Sequence, residues 1–188
     1  TYIDLTNVTL DLNGKTLNAN RYNPVFTGDN FTITNGKFVT KGADYGLFLL
    51  EATNVVIDGI TSNAGINIQD ISANITIKNC DITGKNYYAV FVADVKNVVV
   101  ESGSYIAKKG MKSLYVYFNT DTVTVKGGTF STDVADYVAE GLETVKNADG
   151  TYGVKLGKFT VRNTTTGVGY ETLAAAIAAA GFAISKKR

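Results

Sequence analysis

Apolar and polar residues alternate with a period of two in short runs along most of the chain, and the runs recur at an even spacing. Six segments align: NVTLDL from Asn7, NFTITNGKF from Asn30, NVVIDGI from Asn54, NITIKNCDI from Asn74, NVVVESGSY from Asn97 and TVTVKGGTF from Thr122. Their first residues lie 23, 24, 20, 23 and 25 apart, a mean of 23 over the 115 residues from Asn7 to Thr122. The column after the anchor holds Val8, Phe31, Val55, Ile75, Val98 and Val123; two residues on come Leu10, Ile33, Ile57, Ile77, Val100 and Val125. Period-two alternation points both columns inward. Between them Thr9, Thr32, Val56, Thr76, Val99 and Thr124 point out, followed by an outward column of Asp11, Thr34, Asp58, Lys78, Glu101 and Lys126.

After most of these strands comes a Gly/Asn turn, then a second short strand marked by Leu17, Phe38, Ile82, Tyr105 and Phe130. A third strand precedes the next anchor, at Val25-Phe26, Leu47–Leu50, Ile66–Ile68, Ala89–Val92 and Leu114–Tyr117. Three strands per repeat of about 23 residues predict an all-β fold. It is a right-handed, single-stranded parallel β-helix, a three-sided solenoid of about six coils over residues 1–130. An antiparallel sandwich is the alternative, and it leaves the six matching columns unexplained.

The repeat fades after Phe130, and 131–188 reads as a small C-terminal α/β cap or junction. Ser131–Leu142 reads as a polar turn with a short helix. Lys146–Val154 reads as a hairpin turning at Asp149-Gly150, and Lys158–Arg162 as a strand. Glu171–Ala180 reads as a helix with Gly181 as its C-cap, docking through Leu173 and Ile177. The strand pattern begins almost at Thr1, which reads as a fragment or as a first coil that stacks on something else.

Composition agrees with strands: 24 Thr, 20 Val and 13 Ile make about 30% of the 188 residues β-branched, the type that fits a pleated, half-buried surface. The 18 basic and 17 acidic residues leave a net charge of +1, so no global field draws the chain to nucleic acid or an anionic membrane. With no histidine, a Ser-His-Asp triad, a Cys-His pair and His-ligated metal are excluded within this sequence, and the single cysteine excludes an internal disulfide and Cys-rich zinc. No cofactor is expected, and no apolar run is long enough to insert in a membrane.

Candidate chemistry is sparse. Asp11 and Asp58 share an outward column two coils apart, about 10 Å at the usual strand spacing. That is near the upper limit for an inverting glycosidase pair. Yet Asp58, Lys78, Glu101 and Lys126 alternate in sign, as a cross-strand charge ladder does. The sequons at Asn7, Asn30 and Asn74 arise from the repeat, whose anchor amides are placed to hydrogen-bond in a stack. The Thr column is too interrupted by charge for an ice-ordering array, and Cys80 stands in a turn column with Gly36, Gly103 and Gly128, as a small buried residue would. The third strands say most. Inward alternation through Phe48, Ile68, Phe91 and Val116 leaves Leu47/Leu49, Asn67/Gln69, Val90/Val92 and Tyr115/Tyr117 outside, with Tyr87, Tyr88 and Phe118 close by. An apolar, aromatic exterior marks an interface. Tyr87, Tyr88, Tyr115 and Tyr117 are therefore the candidate binding residues. Segment 131–188 folded back, self-association, and a glycan or protein ligand each account for such a face.

Val8–Leu17 (VTLDLNGKTL), Gly127–Val154 (GGTFSTDVADYVAEGLETVKNADGTYGV) and Tyr170–Ala180 (YETLAAAIAAA) resemble the parallel β-helix modules of large bacterial surface proteins, common in gut bacteria. In that family the first phrase is an early coil and the second closes the helix. The third usually opens a module, whereas here it stands last. The resemblance implies a secreted, cell-surface setting and a structural, adhesive or carbohydrate-binding role without catalysis; similar modules suit phage particles. The expectation is a non-enzymatic module of a larger extracellular surface protein or virion. Its expected partners are other modules of the same assembly and a surface glycan or protein. A carbohydrate-active β-helix enzyme, lyase or hydrolase, is the alternative.

Overall fold

The structure, a computed structural model, describes residues 2–157 and 161–180. The first part of the chain forms β1 (Tyr2–Asp4), β2 (Thr9–Asp11), β3 (Thr16–Asn20), β4 (Val25–Thr40) and β5 (Tyr45–Ser62). There follow β6 (Gly65–Gln69), β7 (Ala73–Lys78), β8 (Cys80–Gly84), β9 (Val90–Ala93), β10 (Lys96–Val100), β11 (Gly103–Ala107), β12 (Leu114–Tyr117), β13 (Val123–Val125) and β14 (Thr129–Phe130). These wind into a parallel β-solenoid with three faces. Thr9, Thr32, Val56, Thr76, Val99 and Thr124 are successive partners on the first face, so the repeat read from sequence is the register of the fold. The second face stacks β3, the ends of β4 and β5, β8, β11 and β14. The third stacks β1, the starts of β4 and β5, β6, β9 and β12.

The sharp corners come from single left-handed residues. Asn30, Asn54, Asn74 and Asn97 turn the chain onto the first face at φ of 54°, 54°, 56° and 59°. Asn35, Gly59 and Asn79 turn it off again at 57°, 64° and 54°. Asparagine visits this region more readily than other side-chain-bearing residues, and a one-residue turn lets β4 and β5 run through two corners without a break. Each anchor amide also bonds along the stack: Asn30 Nδ2 donates to Asn7 Oδ1 (2.9 Å), Asn74 to Asn54 (3.0 Å) and Asn97 to Asn74 (3.0 Å), while Asn54 donates to Asp29 (2.8 Å). Asn7, Asn30 and Asn74 are thus ladder residues, as the repeat implied.

Inside, the columns on the first two faces close on Ile33, Ile57, Ile77 and Val100 and on Phe38, Ile82, Tyr105 and Phe130, all fully buried. Tyr105 stacks on Phe130 at 5.1 Å and donates its hydroxyl to Ser102 O at 2.7 Å, so this fully buried phenol is satisfied. Cys80 is 2% exposed, partnered in register with Gly103. Gly103 has φ 126°, and a Cβ there would collide with the Cys80 carbonyl.

The third face corrects the sequence reading. Leu47, Leu49, Ile66, Ile68, Val90, Val92 and Leu114 point inward and are at most 2% exposed, whereas Phe48 and Phe91, expected inside, lie on the outer side with Tyr115. Ile68 inward and Tyr115 and Tyr117 outward stand as expected. The ladder decides the phase: Phe48, Asn67, Phe91 and Tyr115 are one column, and turning it inward would carry the Tyr115 phenol into the apolar core.

Beyond Phe130 the core continues through Val134, which is buried, and through Tyr137, Val138 and Val154, which pack against it. Ala135–Tyr137 forms a short 3₁₀ turn, and Val138 makes a parallel bridge to Val125. Strands β15 (Leu142–Lys146) and β16 (Tyr152–Leu156) form the expected hairpin, and β16 adds antiparallel to β14. Strands β17 (Val161–Arg162) and β18 (Gly169–Tyr170) pair, and α1 (Leu173–Ala179) rests chiefly on them. Thr172 caps the helix, its Oγ1 accepting from Ala175 N at 3.1 Å. Leu173 is 61% exposed, against the expectation that it docks, and Ile177 is half-buried. The start of the expected Lys158–Arg162 strand and the Gly181 cap lie outside the described residues.

Candidate functional site

Strands β6, β9 and β12 and the loops that lead into them gather the aromatic residues of the third face. Tyr87 and Tyr88 sit at 4.1 Å between ring centroids, Tyr88 and Tyr115 at 4.5 Å, and Tyr115 and Tyr117 at 6.1 Å. The four candidate residues are therefore brought into one continuous strip. Phe91 stacks on Tyr88 at 5.9 Å and lies 5.9 Å from Tyr115; Phe118 extends the strip beyond Tyr117 at 6.3 Å. Tyr45, which the sequence reading passed over, anchors the other end with edge contacts to Phe48 at 6.0 Å and to Tyr87 at 6.2 Å. Its signal was available: it opens the third strand of its coil as Tyr88 nearly does two coils on.

The strip is supported from below and open above. Asn67 stands between Phe48 and Phe91 in the ladder, and its Oδ1 is buried with no hydrogen-bond partner among the described residues. Burial raises the Tyr45 hydroxyl above its ordinary pKa, with the Tyr87 charge next in weight. Tyr88 is pushed up to about 12, by burial first and then by its neighbour Tyr87. Both phenols are therefore neutral donors at physiological pH. Tyr117 and Phe118 are 57% and 66% exposed, so the described part of 131–188 leaves this end of the strip uncovered. Lys112 Nζ lies 5.7 Å from the Tyr115 ring centroid, a cation–π contact at the edge of the strip.

The candidate catalytic carboxylates, Asp11 and Asp58, lie on the first face and are engaged. Asp11 and Asp58 are separated by Thr34 in register, hence two coils apart. Asp11 accepts from Asn13 N at 2.7 Å; Asp58 pairs with Lys78 at 3.5 Å and accepts from Asn79 at 2.8 Å. Glu101 pairs with Lys126 at 3.7 Å, so the alternating column forms ion pairs. Burial raises the Cys80 thiol to about 11, against the hydrogen bonds of its neighbours, which leaves it a poor nucleophile. A cavity of about 180 Å³ on the first coil is lined by Ile3, Leu17, Ala19, Tyr22, Asn23 and Pro24, without an ionisable group beyond the Tyr22 phenol. Among the described residues no three His, Cys, Asp or Glu side chains gather to hold a metal, and no helix is long and apolar enough to cross a membrane. No family model, curated protein or solved structure matches the chain.

Proposed function

We propose that this chain is a non-enzymatic β-solenoid module, structural and adhesive, of a larger extracellular assembly on a bacterial cell surface or a phage particle, and that the third face is its contact surface. The observation that carries this reading is the continuous strip Tyr87-Tyr88-Tyr115-Tyr117, with ring centroids 4.1, 4.5 and 6.1 Å apart, the first two on the loop that leads into β9 and the last two on β12. Tyrosines offer large, amphipathic area with few rotamers to freeze, and their faces take either the apolar side of a sugar ring or an aromatic partner. The rings pack on one another, and Lys108 N donates to Tyr87 O to tie the loop to the next coil, so they are in place before any ligand arrives, which lowers the ordering cost of binding. Against the enzyme alternative stand the engaged Asp58 and the two-coil separation of Asp11 from it.

Glycan-array and calorimetric binding with the intact chain tests the reading. Tyr88→Ala and Tyr115→Ala, both folded by circular dichroism, are expected to lose at least about tenfold in affinity, as central aromatic anchors do. Unchanged binding by both would move the contact surface elsewhere. A panel of pectins, glucans and host glycans should yield no new reducing ends or unsaturated products; turnover abolished by Asp11→Asn or Asp58→Asn would restore the enzyme reading.

A further inference from the structure

The aromatic strip runs between two corners of opposite charge. The loops that lead from the second face onto the third, at 20–24, 40–45, 62–65, 84–89 and 107–113, carry Arg21, Lys41, Lys85, Lys108, Lys109 and Lys112 against a single acid, Asp44. These loops are tied to one another: Asn86 Nδ2 donates to Ala43 O at 3.3 Å, and Lys108 N donates to Tyr87 O at 3.0 Å. The corner where the third face ends carries Glu51, Asp70 and Asp94, with Asp4 and Asp121 toward its two ends; Asp29 is turned to Thr53 and Asn54, and Lys96 is the base on this side. Backbone bonds stack that corner too, from Glu51 N to Asp70 O and from Ile71 N to Asp94 O. The ion pairs of the described residues, at Lys78, Lys126 and Lys155, use none of these groups. A chain of net charge +1 thus presents an apolar strip with a basic margin and an acidic margin.

We infer that the third face docks on the third face of a second copy, with the two solenoids parallel and related by a two-fold axis along their length. This rests on the reading of the third face as a contact surface and names its partner. Charge complementarity selects both partner and orientation. An anionic glycan laid across the face meets the acidic margin, and a cationic partner meets the basic one; a second copy satisfies both. Face-to-face contact allows a two-fold axis along the solenoid or one along the strands. The second sets base on base and acid on acid. The first exchanges the margins, so each basic ridge meets an acidic ridge at the same level. Lys41 then lies opposite Glu51 of the second copy, Lys85 opposite Asp94 and Lys112 opposite Asp121, because each pair flanks one strand of one coil. The tyrosines of the two strips meet between them, which removes the exposed Tyr117 and Phe118 from water.

Sedimentation velocity over a concentration series tests this with two charge-reversed chains, Lys41→Glu/Lys112→Glu and Glu51→Lys/Asp121→Lys, each checked for folding by circular dichroism. Each alone should dimerise at least about tenfold more weakly than the unaltered chain, since reversal sets like charges opposite each other twice. Mixed in equal amounts they should pair with each other, within about threefold of the original affinity. Tyr117→Ser should weaken pairing without making it responsive to mixing. An unaltered chain that stays monomeric, dimerisation indifferent to both reversals, or absence of rescue on mixing overturns the pairing. A monomer that still binds a glycan through Tyr88 and Tyr115 overturns the second copy as partner while the adhesive reading stands.

Discussion

Asn74 offers a direct measurement of what holds the coils in register. It turns the fourth coil at φ 56°, donates Nδ2 to Asn54 Oδ1 at 3.0 Å and accepts from Asn97 Nδ2 at 3.0 Å. Asn74→Ala removes both bonds and leaves a Cβ-bearing residue in the left-handed region with no local hydrogen bond to offset it. Two net side-chain hydrogen bonds contribute about 1–3 kcal/mol together, and the backbone term adds about 1 kcal/mol. The alanine variant should therefore lose about 2–4 kcal/mol. Asn74→Gly loses the same two bonds but adopts the conformation freely, so it should retain about 1 kcal/mol more than the alanine variant. Urea unfolding followed by far-UV circular dichroism reads both, and an unchanged slope against denaturant shows that the comparison is of stability alone. Equal losses for the two variants would refute the backbone term, and an alanine variant within 0.3 kcal/mol of the parent, below the range of about 0.5–1.5 kcal/mol for one hydrogen bond, would refute the ladder.

Ile77→Asp, which buries a carboxylate at a fully buried position, should destabilise the chain by several kcal/mol or prevent folding, whereas Thr76→Asp on the outer column should cost far less; similar thermal melts for the two would contradict the inward assignment. Ile71 is β-branched, 70% exposed and held at φ 53°, so Ile71→Asn should stabilise the chain by about 1 kcal/mol, read as a raised melting temperature. Cys80, with its thiol raised to about 11 and 2% exposed, should react with an aromatic disulfide reagent at pH 8 only at the rate of unfolding, and rapid labelling of the native chain would show an open route to the core.

The coil period and the inward columns of the first two faces were legible because one phase of each strand is apolar and the other is threonine or charged. Ile75-Thr76-Ile77-Lys78 admits a single inward phase. On the third face both phases are apolar in Leu47-Phe48-Leu49-Leu50 and in Val90-Phe91-Val92, so alternation carries no sign there. Only the lateral register, which places Phe48 and Phe91 in line with Asn67 and Tyr115, separates them. The Tyr strip was nonetheless legible as a cluster, because Tyr115 and Tyr117 lie in a strand whose inward member is Val116, and Tyr87 and Tyr88 enter the preceding coil. Leu173 was misread because an alanine-rich helix has strong propensity without an apolar stripe wide enough to specify what it docks on.

The charge margins were hidden for a different reason. Their members lie in different coils of the sequence, and the global sum cancels them to +1. A parallel solenoid places the same position of successive coils about 4.8 Å apart, so any bias at one corner becomes a line in space. This also constrains chemistry. An acid and a base needed as separate catalytic groups tend to meet as ladder partners and neutralise each other, as Asp58 does with Lys78 and Glu101 with Lys126. What survives for recognition is the linear array: rings in one line, bases in a second, acids in a third. Such arrays match partners that are themselves extended and repeat at a similar interval. The second copy of this chain meets that requirement coil for coil, with its margins reversed by the two-fold axis, and a glycan strand meets it only along the aromatic line.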